Sequence, residues 1–536
     1  MGSLPPDSVQ PSSAERAGPA APNPLLALRF EAAIEALGPE YWDGVEAATF
    51  PRTTLRFRND ALLHQLGLDP LAVTDSDLEQ AFGRFEARTP LLALRYHGYQ
   101  FDTYNPFLGD GRGFLYGQLR DRHGQLQDLG SKGSGTTPWS RGGDGRLTLK
   151  GGVREVIASE ALHRLGVSTS RTLSLVETGE DLWRGDEPSP TRSAVMVRMA
   201  RTHLRFGSCE RLLHLRQPRQ LERLLRHVVA LYYPQLAAGP PIPAGRGGAA
   251  GPGGSALAKQ LLAFYGELVE RLARLAADWM VAGFTHGVLN TDNMSLVAES
   301  FDYGPFAFLE RWDPGFTAAY FDHSGLYAYG RQPLTCHHNL RRLQEPLAML
   351  LPRADLEARL ERFAPAYSSH YRQRLLRRLG FAGASNQPAA AALDWPADPE
   401  RPDLVRLTLQ LLASWDVGYG EFFTGLSRRV GERGVPNTAE ELEQFVAGAA
   451  APERGAWLAW RDAWWAWSSA AAGGGTAAAI APTLERWNLP ETPVRAVIER
   501  IWAAIDQHDD WGPLEQWLER TSAASADAAP ASGTSE

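Results

Sequence analysis

Gly113 to Arg120 and Gln125 to Lys132 each read as a β-strand, and the turn-forming Asp121-Arg122-His123-Gly124 between them predicts a hairpin with Lys132 at its end. Beyond a loop from Gly133 to Gly152, Val153, Val156, Ile157, Ala161 and Leu165 recur at helical spacing, with Gly166 as the stop. That spacing places Glu155 in the first turn of the helix. Leu261, Tyr265, Leu268, Leu272, Leu275 and Trp279 repeat every three to four residues, which predicts a long amphipathic helix ending near Gly283. A polar loop follows directly, Phe284-Thr285-His286-Gly287-Val288-Leu289-Asn290-Thr291-Asp292-Asn293, in the kind of position where function often gathers. From about Tyr320 to Ala470 the pattern is mostly helical, and the stripe Trp457, Trp460, Trp464, Trp467 reads as core packing. Arg211 to Arg226 is arginine-rich and helical, and reads as a solvated face.

Pro, Gly and Ala cluster at Ala237 to Gly254, Ala470 to Ala478 and Thr521 to Glu536, which predicts a flexible insertion, a linker and a frayed tail. Met1 to Asn23 reads as a disordered arm. The expected organisation is an arm over 1–24, an N-terminal extension over 25–100, and a β-containing lobe over 101–208. A helical lobe over 209–469 would follow, then a linker with C-terminal helices over 470–520 and a tail over 521–536. No repeat period suggests a solenoid or propeller.

With 536 residues, 44% hydrophobic and 22% charged, the chain can bury a large core spread over roughly two to four domain-sized units. Its net charge of −8 gives no general attraction to nucleic acid or an anionic membrane surface. No run of about 18 apolar residues is present, and the first residues lack a basic start followed by an apolar stretch, so a cytoplasmic enzyme is expected. Cys209 and Cys336 are too few for a disulfide scaffold or a Cys-rich zinc site, and Cys209 reads as a small buried residue. Among 54 basic residues only Lys132, Lys150 and Lys259 are lysines. The first of them lies in Ser131-Lys132-Gly133-Ser134-Gly135, where a compact ammonium flanked by glycines has the look of a phosphate ligand.

Two further glycine-rich loops lie nearby, Gly109-Asp110-Gly111-Arg112-Gly113 and Gly142-Gly143-Asp144-Gly145-Arg146. Glycine lets backbone N–H groups approach phosphate oxygens, and arginine offers them a planar fork. Neither a Walker A motif nor G-x-G-x-x-G is matched, yet three such loops with interleaved cations point to an anion site. A strand lysine with a glutamate on the next helix is the pair that protein kinases use to hold ATP phosphates, although Glu155 also suits a helix N-terminus. The kinase pattern H-R-D-x-x-x-x-N followed by D-F-G, laid on His286, finds Asn293 and then Asp302-Tyr303-Gly304. One Asn carbonyl and one Asp carboxylate suit magnesium. The base position of the pattern is Val288, which cannot take a proton. Asp292 is the nearest alternative base and equally a turn-forming residue.

The stretch from Ser131 to Arg146, the stretch from Arg198 to Gly207, and Asn290-Thr291-Asp292-Asn293-Met294-Ser295 with Asp302-Tyr303-Gly304-Pro305-Phe306 closely resemble the selenoprotein O (SelO, YdiU) family. The similarity runs from about Arg29 to Leu340, with a weaker echo at Trp487-Asn488-Leu489-Pro490. The resemblance implies an α+β, protein-kinase-like bilobal fold. It also implies ATP bound in a flipped orientation and transfer of AMP to Ser, Thr or Tyr hydroxyls of proteins. By that likeness Lys132, paired with Glu155, and Arg112, Arg198 and Arg205 hold phosphates. Gly109, Gly111, Asp144, Gly145 and Asp302 complete the nucleotide site. Asn293 and Asp302 bind Mg²⁺ or Mn²⁺, and Asp292 is the general base.

The chain departs from the family's usual residues at Ser131, at Trp139 and at Gly151-Gly152, His97 to Asp102 only approximates the family's motif there, and no cysteine lies near the C-terminus. A Mn²⁺-dependent uridylyltransferase using UTP, a kinase transferring the γ-phosphoryl group, and a nucleotide-binding scaffold are the alternatives. The expected partners are ATP and hydroxyl-bearing proteins, with no nucleic acid or membrane, and a monomer is expected.

Overall fold

The computed structural model describes residues 22–236 except 87 and 186, 253–381, 402–473 except 447, and 477–523. It is α+β, with an antiparallel sheet in the N-terminal part and helices in the C-terminal part. The N-terminal strands are β1 (Trp42–Val45), β2 (Thr54–Arg58), β3 (Leu91–Leu94), β4 (Gly98–Gln100), β5 (Thr103–Asn105), β6 (Leu115–Arg120), β7 (Leu126–Lys132), β8 (Leu147–Thr148), β9 (Arg171–Leu182) and β10 (Thr191–Ala200). Eight of them form one sheet in the order β1-β3-β6-β7-β10-β9-β2, with β8 pairing β10, while β4 and β5 form a separate hairpin. Residues 42–94, expected as an extension, thus contribute three strands to the main sheet.

The predicted hairpin is β6–β7, closed by Asp121, whose Oδ1 accepts from the backbone N of His123 and Gln125, both at 2.9 Å. Successive strand residues face opposite sides of a sheet. On β10, Val195, Val197 and Met199 join one core with Phe82, Phe114 and Tyr116. Ala194 and Met196 face the other way, onto Val153, Val156 and Ile157 of helix Leu149–Arg164. By the same alternation Leu126, Asp128, Gly130 and Lys132 of β7 share the helix-facing side, opposite Leu129.

That helix begins four residues before the predicted start. Thr148 caps it, its Oγ1 accepting from the backbone N of Gly151 at 3.1 Å, so Glu155 falls in the second turn and no acid occupies the first. Gly166 follows in the left-handed region (φ +75°), ending the helix as expected. The long helix Gly253–Ala282 also ends as predicted, with Gly283 at φ +69°. It packs among helices Gln332–Leu347, Arg353–Leu360 and Phe363–Arg378.

Several expected flexible segments are ordered at their edges. Asn23 donates from Nδ2 to the Asp77 carbonyl and to Gln80 Oε1, at 3.0 and 2.9 Å, so the chain is anchored there. Helix Arg454–Gly473 runs into the expected linker, and helix Gly512–Ala523 into the expected tail. Of the expected insertion, residues 237–252 lie outside the described residues, while Gly253 and Gly254 open the long helix. The arginine-rich face is two helices, Phe206–His214 and Pro218–Tyr232, on which Arg219, Arg223 and Arg226 are exposed.

The C-terminal helices Arg495–His508 and Gly512–Ala523 return to pack on helix Leu149–Arg164, burying Ile498, Ile501 and Trp517 in the same core. Lys150 reaches Glu499 at 2.8 Å, and Arg164 donates to the carbonyls of Glu485 and Arg486. No helix among the described residues is long and apolar enough to cross a membrane.

Trp460 and Trp464 are fully buried, with indole N–H groups donating to Thr408 Oγ1 and to the Leu379 carbonyl, each at 2.9 Å. Trp464→Ala leaves a cavity and an unsatisfied carbonyl and should cost about 3–5 kcal/mol. Urea unfolding followed by circular dichroism measures this, and an unchanged midpoint would refute the core reading of the stripe.

Candidate functional site

The three glycine-rich loops converge on one cavity of about 690 Å³, whose wall also includes Lys132, Arg198, Arg205, Asp292 and Asp302. The loops touch one another backbone to backbone. Gly133 N donates to the Arg112 carbonyl at 2.6 Å, and Gly135 N donates to the Gly145 carbonyl at 3.2 Å. A Cβ on Gly111 would stand 2.8 Å from the Trp139 carbonyl oxygen, and one on Gly113 would collide with that of Ser131. Glycine is therefore a steric requirement at both positions.

Lys132 ends β7 on the side facing the helix, with its side chain 5% exposed. Its Nζ donates to Glu155 Oε1 and, at 2.8 Å, to Asp302 Oδ1. Arg198, one β10 residue beyond the register pair Val197–Ser131, brings Nη1 to 3.4 Å from Asp302 Oδ1 and 3.7 Å from Glu155 Oε2. Asp302 sits in the left-handed region (φ +63°), a costly conformation for aspartate that the surrounding ion pairs hold. Burial acts to raise the Asp302 pKa, but Lys132, Arg198 and Arg112 hold it well below the usual carboxylate range.

Arg205 is 3% exposed, with its guanidinium 4.1 Å from the Tyr96 ring centroid and 5.0 Å from that of Phe301. It donates to the Asp292 carbonyl at 3.0 Å and lies 3.4 Å from Asp110 Oδ1. The predicted loop after the long helix is pinned on every side. His286 pairs through Nε2 with the Phe301 carbonyl at 3.0 Å, and Val288 packs against the core. Asn290 Oδ1 accepts from Tyr327 Oη at 2.6 Å and from Phe101 N at 3.2 Å. Thr291 Oγ1 donates to Glu210 Oε2 at 2.7 Å and accepts from Tyr99 N at 2.8 Å.

Asp292 is buried beside Gly98, where an added Cβ would lie 3.1 Å from its Oδ1. Burial pushes its pKa up to about 6, Arg205 opposing and Asp302 adding to the shift. Its Oδ1 and the Nε of Arg198 are buried without hydrogen-bond partners, as expected of atoms that serve a ligand. Asn293 commits Nδ2 to the Val288 carbonyl at 3.0 Å. Among the described residues no hydrogen bond engages Asn293 Oδ1 or Asp302 Oδ2. These are oxygen donors of the type a hard divalent cation takes. No group of three or more His, Cys, Asp or Glu among the described residues could hold a metal, so further ligands would be water or phosphate.

Of the residues singled out in the sequence, Gly109, Gly111, Arg112, Lys132, Asp144, Gly145, Arg198, Arg205, Asp292 and Asp302 line the cavity. Glu155 stands behind Lys132, and Asn293 follows Asp292 without lining the wall. Asp144 is at the rim, paired with Arg184 at 2.8 Å. Arg141, which also lines the cavity, was not singled out; its φ of +53° breaks the local pattern and leaves no sequence signal beyond the neighbouring glycines. The β4–β5 hairpin, which holds Thr291 and Asn290, covers most of the stretch His97 to Asp102 that only approximates the family's motif, and its pairing as a hairpin was not foreseen.

The family model described as Protein adenylyltransferase SelO matches residues 24–522. The chain belongs to the SelO family of protein nucleotidyltransferases. It is 51% identical over 498 residues to Protein nucleotidyltransferase YdiU of Gloeobacter violaceus, covering 93% of this chain and 96% of the relative. With the protein of the same name from Synechococcus elongatus the identity is 52% over 500 residues, covering 93% and 96%. With that of Stutzerimonas stutzeri it is 34% over 431 residues, covering 80% and 82%. Family membership therefore extends well past Leu340, where the motifs fade, and takes in the C-terminal helices.

Glu210, beneath Thr291, has its pKa pushed up to about 8, chiefly by burial, and its Oε1 lacks a hydrogen-bond partner. A raised carboxyl pKa means that folding favours the protonated form, so its contribution is full below about pH 4.5 and is lost as pH rises towards 8. Glu210→Gln should therefore stabilise the protein at pH 9, by on the order of a few kcal/mol, with the gain vanishing near pH 4. Thermal unfolding across that range tests it, and an equal gain at both ends would exclude titration as the cause.

Proposed function

We propose that this chain is a protein adenylyltransferase of kinase-like bilobal architecture, with its sheet-bearing lobe ending near residue 208 and its helical lobe following. The observation that carries the reading is the gathering of buried Lys132, Glu155 and Arg198 with part-buried Asp302 as one charge cluster at the inner wall of the cavity, while Val288 occupies the usual kinase base position. Cations enclosed at that end suit the β- and γ-phosphates of a flipped ATP, with the α-phosphorus towards the opening.

In this reading Asp292 takes the proton of a Ser, Thr or Tyr hydroxyl. A pKa near 6 leaves it largely ionised at neutral pH yet basic enough to accept that proton. The hydroxyl oxygen forms a bond to the α-phosphorus as the bond from that phosphorus to the bridging oxygen breaks, and pyrophosphate leaves. Lys132, positioned by Glu155, acts with Arg112, Arg198 and Arg205 to offset the charge developing on the leaving group. Gly109, Gly111, Asp144 and Gly145 shape the nucleotide wall. Mg²⁺ or Mn²⁺ held by Asn293 and Asp302 would supply further neutralisation of phosphate charge when bound. A monomer in the cytoplasm completes the proposal, and the free, buried Cys209 and Cys336 suit a reducing compartment.

Incubation of the protein and acceptor proteins with ATP labelled at the α or the γ position, and in parallel with α-labelled UTP, tests the reading. Label from α-ATP on protein is the expected result. Label from γ-ATP alone would make the chain a kinase, label mainly from UTP a uridylyltransferase, and none a scaffold. Asp302→Ala should abolish labelling, and Asp292→Ala should lower its rate by at least about 10²-fold while ATP binding persists.

A further inference from the structure

His203 belongs to the same stretch as Arg198 and Arg205, yet nothing above gives it a task. Its side chain is 6% exposed and its ring lines the cavity. Behind it stands Asp128 of β7, which is fully buried. Asp128 Oδ2 accepts from the backbone N of His203 at 2.7 Å and pairs with its Nδ1 at 3.2 Å, while Oδ1 accepts from Gln118 Nε2 at 2.7 Å. A carboxylate against Nδ1 assigns a proton to that nitrogen and fixes the ring's orientation. The other ring nitrogen, Nε2, is buried and has no hydrogen-bond partner. Leaving a buried polar atom unpaired is costly, and on this cavity's wall Arg198 Nε and Asp292 Oδ1 are left unpaired in the same way.

Two features indicate that the ring is held there for a purpose. Strand alternation puts Asp128, Gly130 and Lys132 on one face of β7, so the carboxylate behind His203 and the buried ammonium belong to the same row. Gly130 between them makes room for the imidazole, since a Cβ there would stand 2.5 Å from both Cε1 and Nε2. The groups facing the pair are Asp110 and Arg205 on the cavity side and His227, Tyr232 and Glu299 on the Asp128 side. Asp128 is the carboxylate in contact with the ring, and it holds the ring from the rear with Nε2 towards the cavity.

We propose that His203 is a further phosphate-binding residue of this cavity, hydrogen-bonding through Nε2 to an oxygen of the leaving pyrophosphate, with Asp128 as its positioning residue. The inference rests on the nucleotide reading given above and deepens it.

Titration calorimetry with inorganic pyrophosphate, and separately with ATP and AMP, tests it on the full chain. His203→Ala should weaken pyrophosphate binding roughly 10- to 100-fold, the range for a charge-assisted hydrogen bond, and leave AMP binding unchanged. His203→Gln, which keeps a donor on a side chain of similar reach, should recover part of the loss, and it guards against misfolding of the alanine variant. Wild-type pyrophosphate affinity in a folded His203→Ala protein would overturn the inference alone, as would equal weakening of AMP and pyrophosphate. A wild-type protein that bound neither ATP nor pyrophosphate would instead remove the nucleotide reading, and this inference with it.

Discussion

The ammonium of Lys132, shut between Glu155 and Asp302 with almost no water around it, is the interaction on which the rest of the cavity depends. A charge so enclosed is tolerable only when paired and hydrogen-bonded, and removing one partner of such a pair typically costs about 3–5 kcal/mol. Arg198 extends the pair into a cluster of two cations and two carboxylates. Within it the charges balance, so the arginines around it give the cavity its sign. Arg112 and Arg141 line the wall without an ion-pair partner among the described residues. The cavity is thus locally positive inside a protein whose net charge is −8, which favours a polyphosphate over a general polyanion.

The fold delivers these groups through elementary geometry. A period of two along β7 and β10 sends Lys132 and Arg198 to the side where the next helix packs, and three loops supply backbone without side chains in the way. The acid on the opposite wall is held differently. Asp292 is fixed by its neighbours, through Asn290, Thr291 and Asn293, so its own Oδ1 stays free of hydrogen bonds. A carboxyl kept this dry has its pKa pushed up to about 6.

Much of this was legible along the chain because it is local. The β6–β7 hairpin, the helical spacing from Val153, the glycine at the end of the long helix and the tryptophan stripe each carry their signal within a few residues. The helix start was misplaced because Gly151-Gly152 reads as loop, whereas the cap at Thr148 and burial of Leu149 against the sheet decide the matter. Long-range pairing left no trace at all. Nothing near Trp42 announces that β1 will flank β3, and nothing in His97 to Asn105 announces a clasp on a loop 190 residues later. The aromatic seat of Arg205 between Tyr96 and Phe301 is hidden for the same reason.

The docking of the last two helices against helix Leu149–Arg164 has a consequence in time. The helix carrying Glu155 is complete early in synthesis, but its outer face is covered by residues some 350 positions further on, as the Lys150–Glu499 contact marks. Domains form from the N-terminus as the ribosome proceeds. A nascent chain therefore exposes its glycine-rich loops well before the glutamate behind Lys132 is braced. Residues near 150 and near 500 meet behind the cavity, so the C-terminal helices must be made before the Lys132–Glu155 pair is braced.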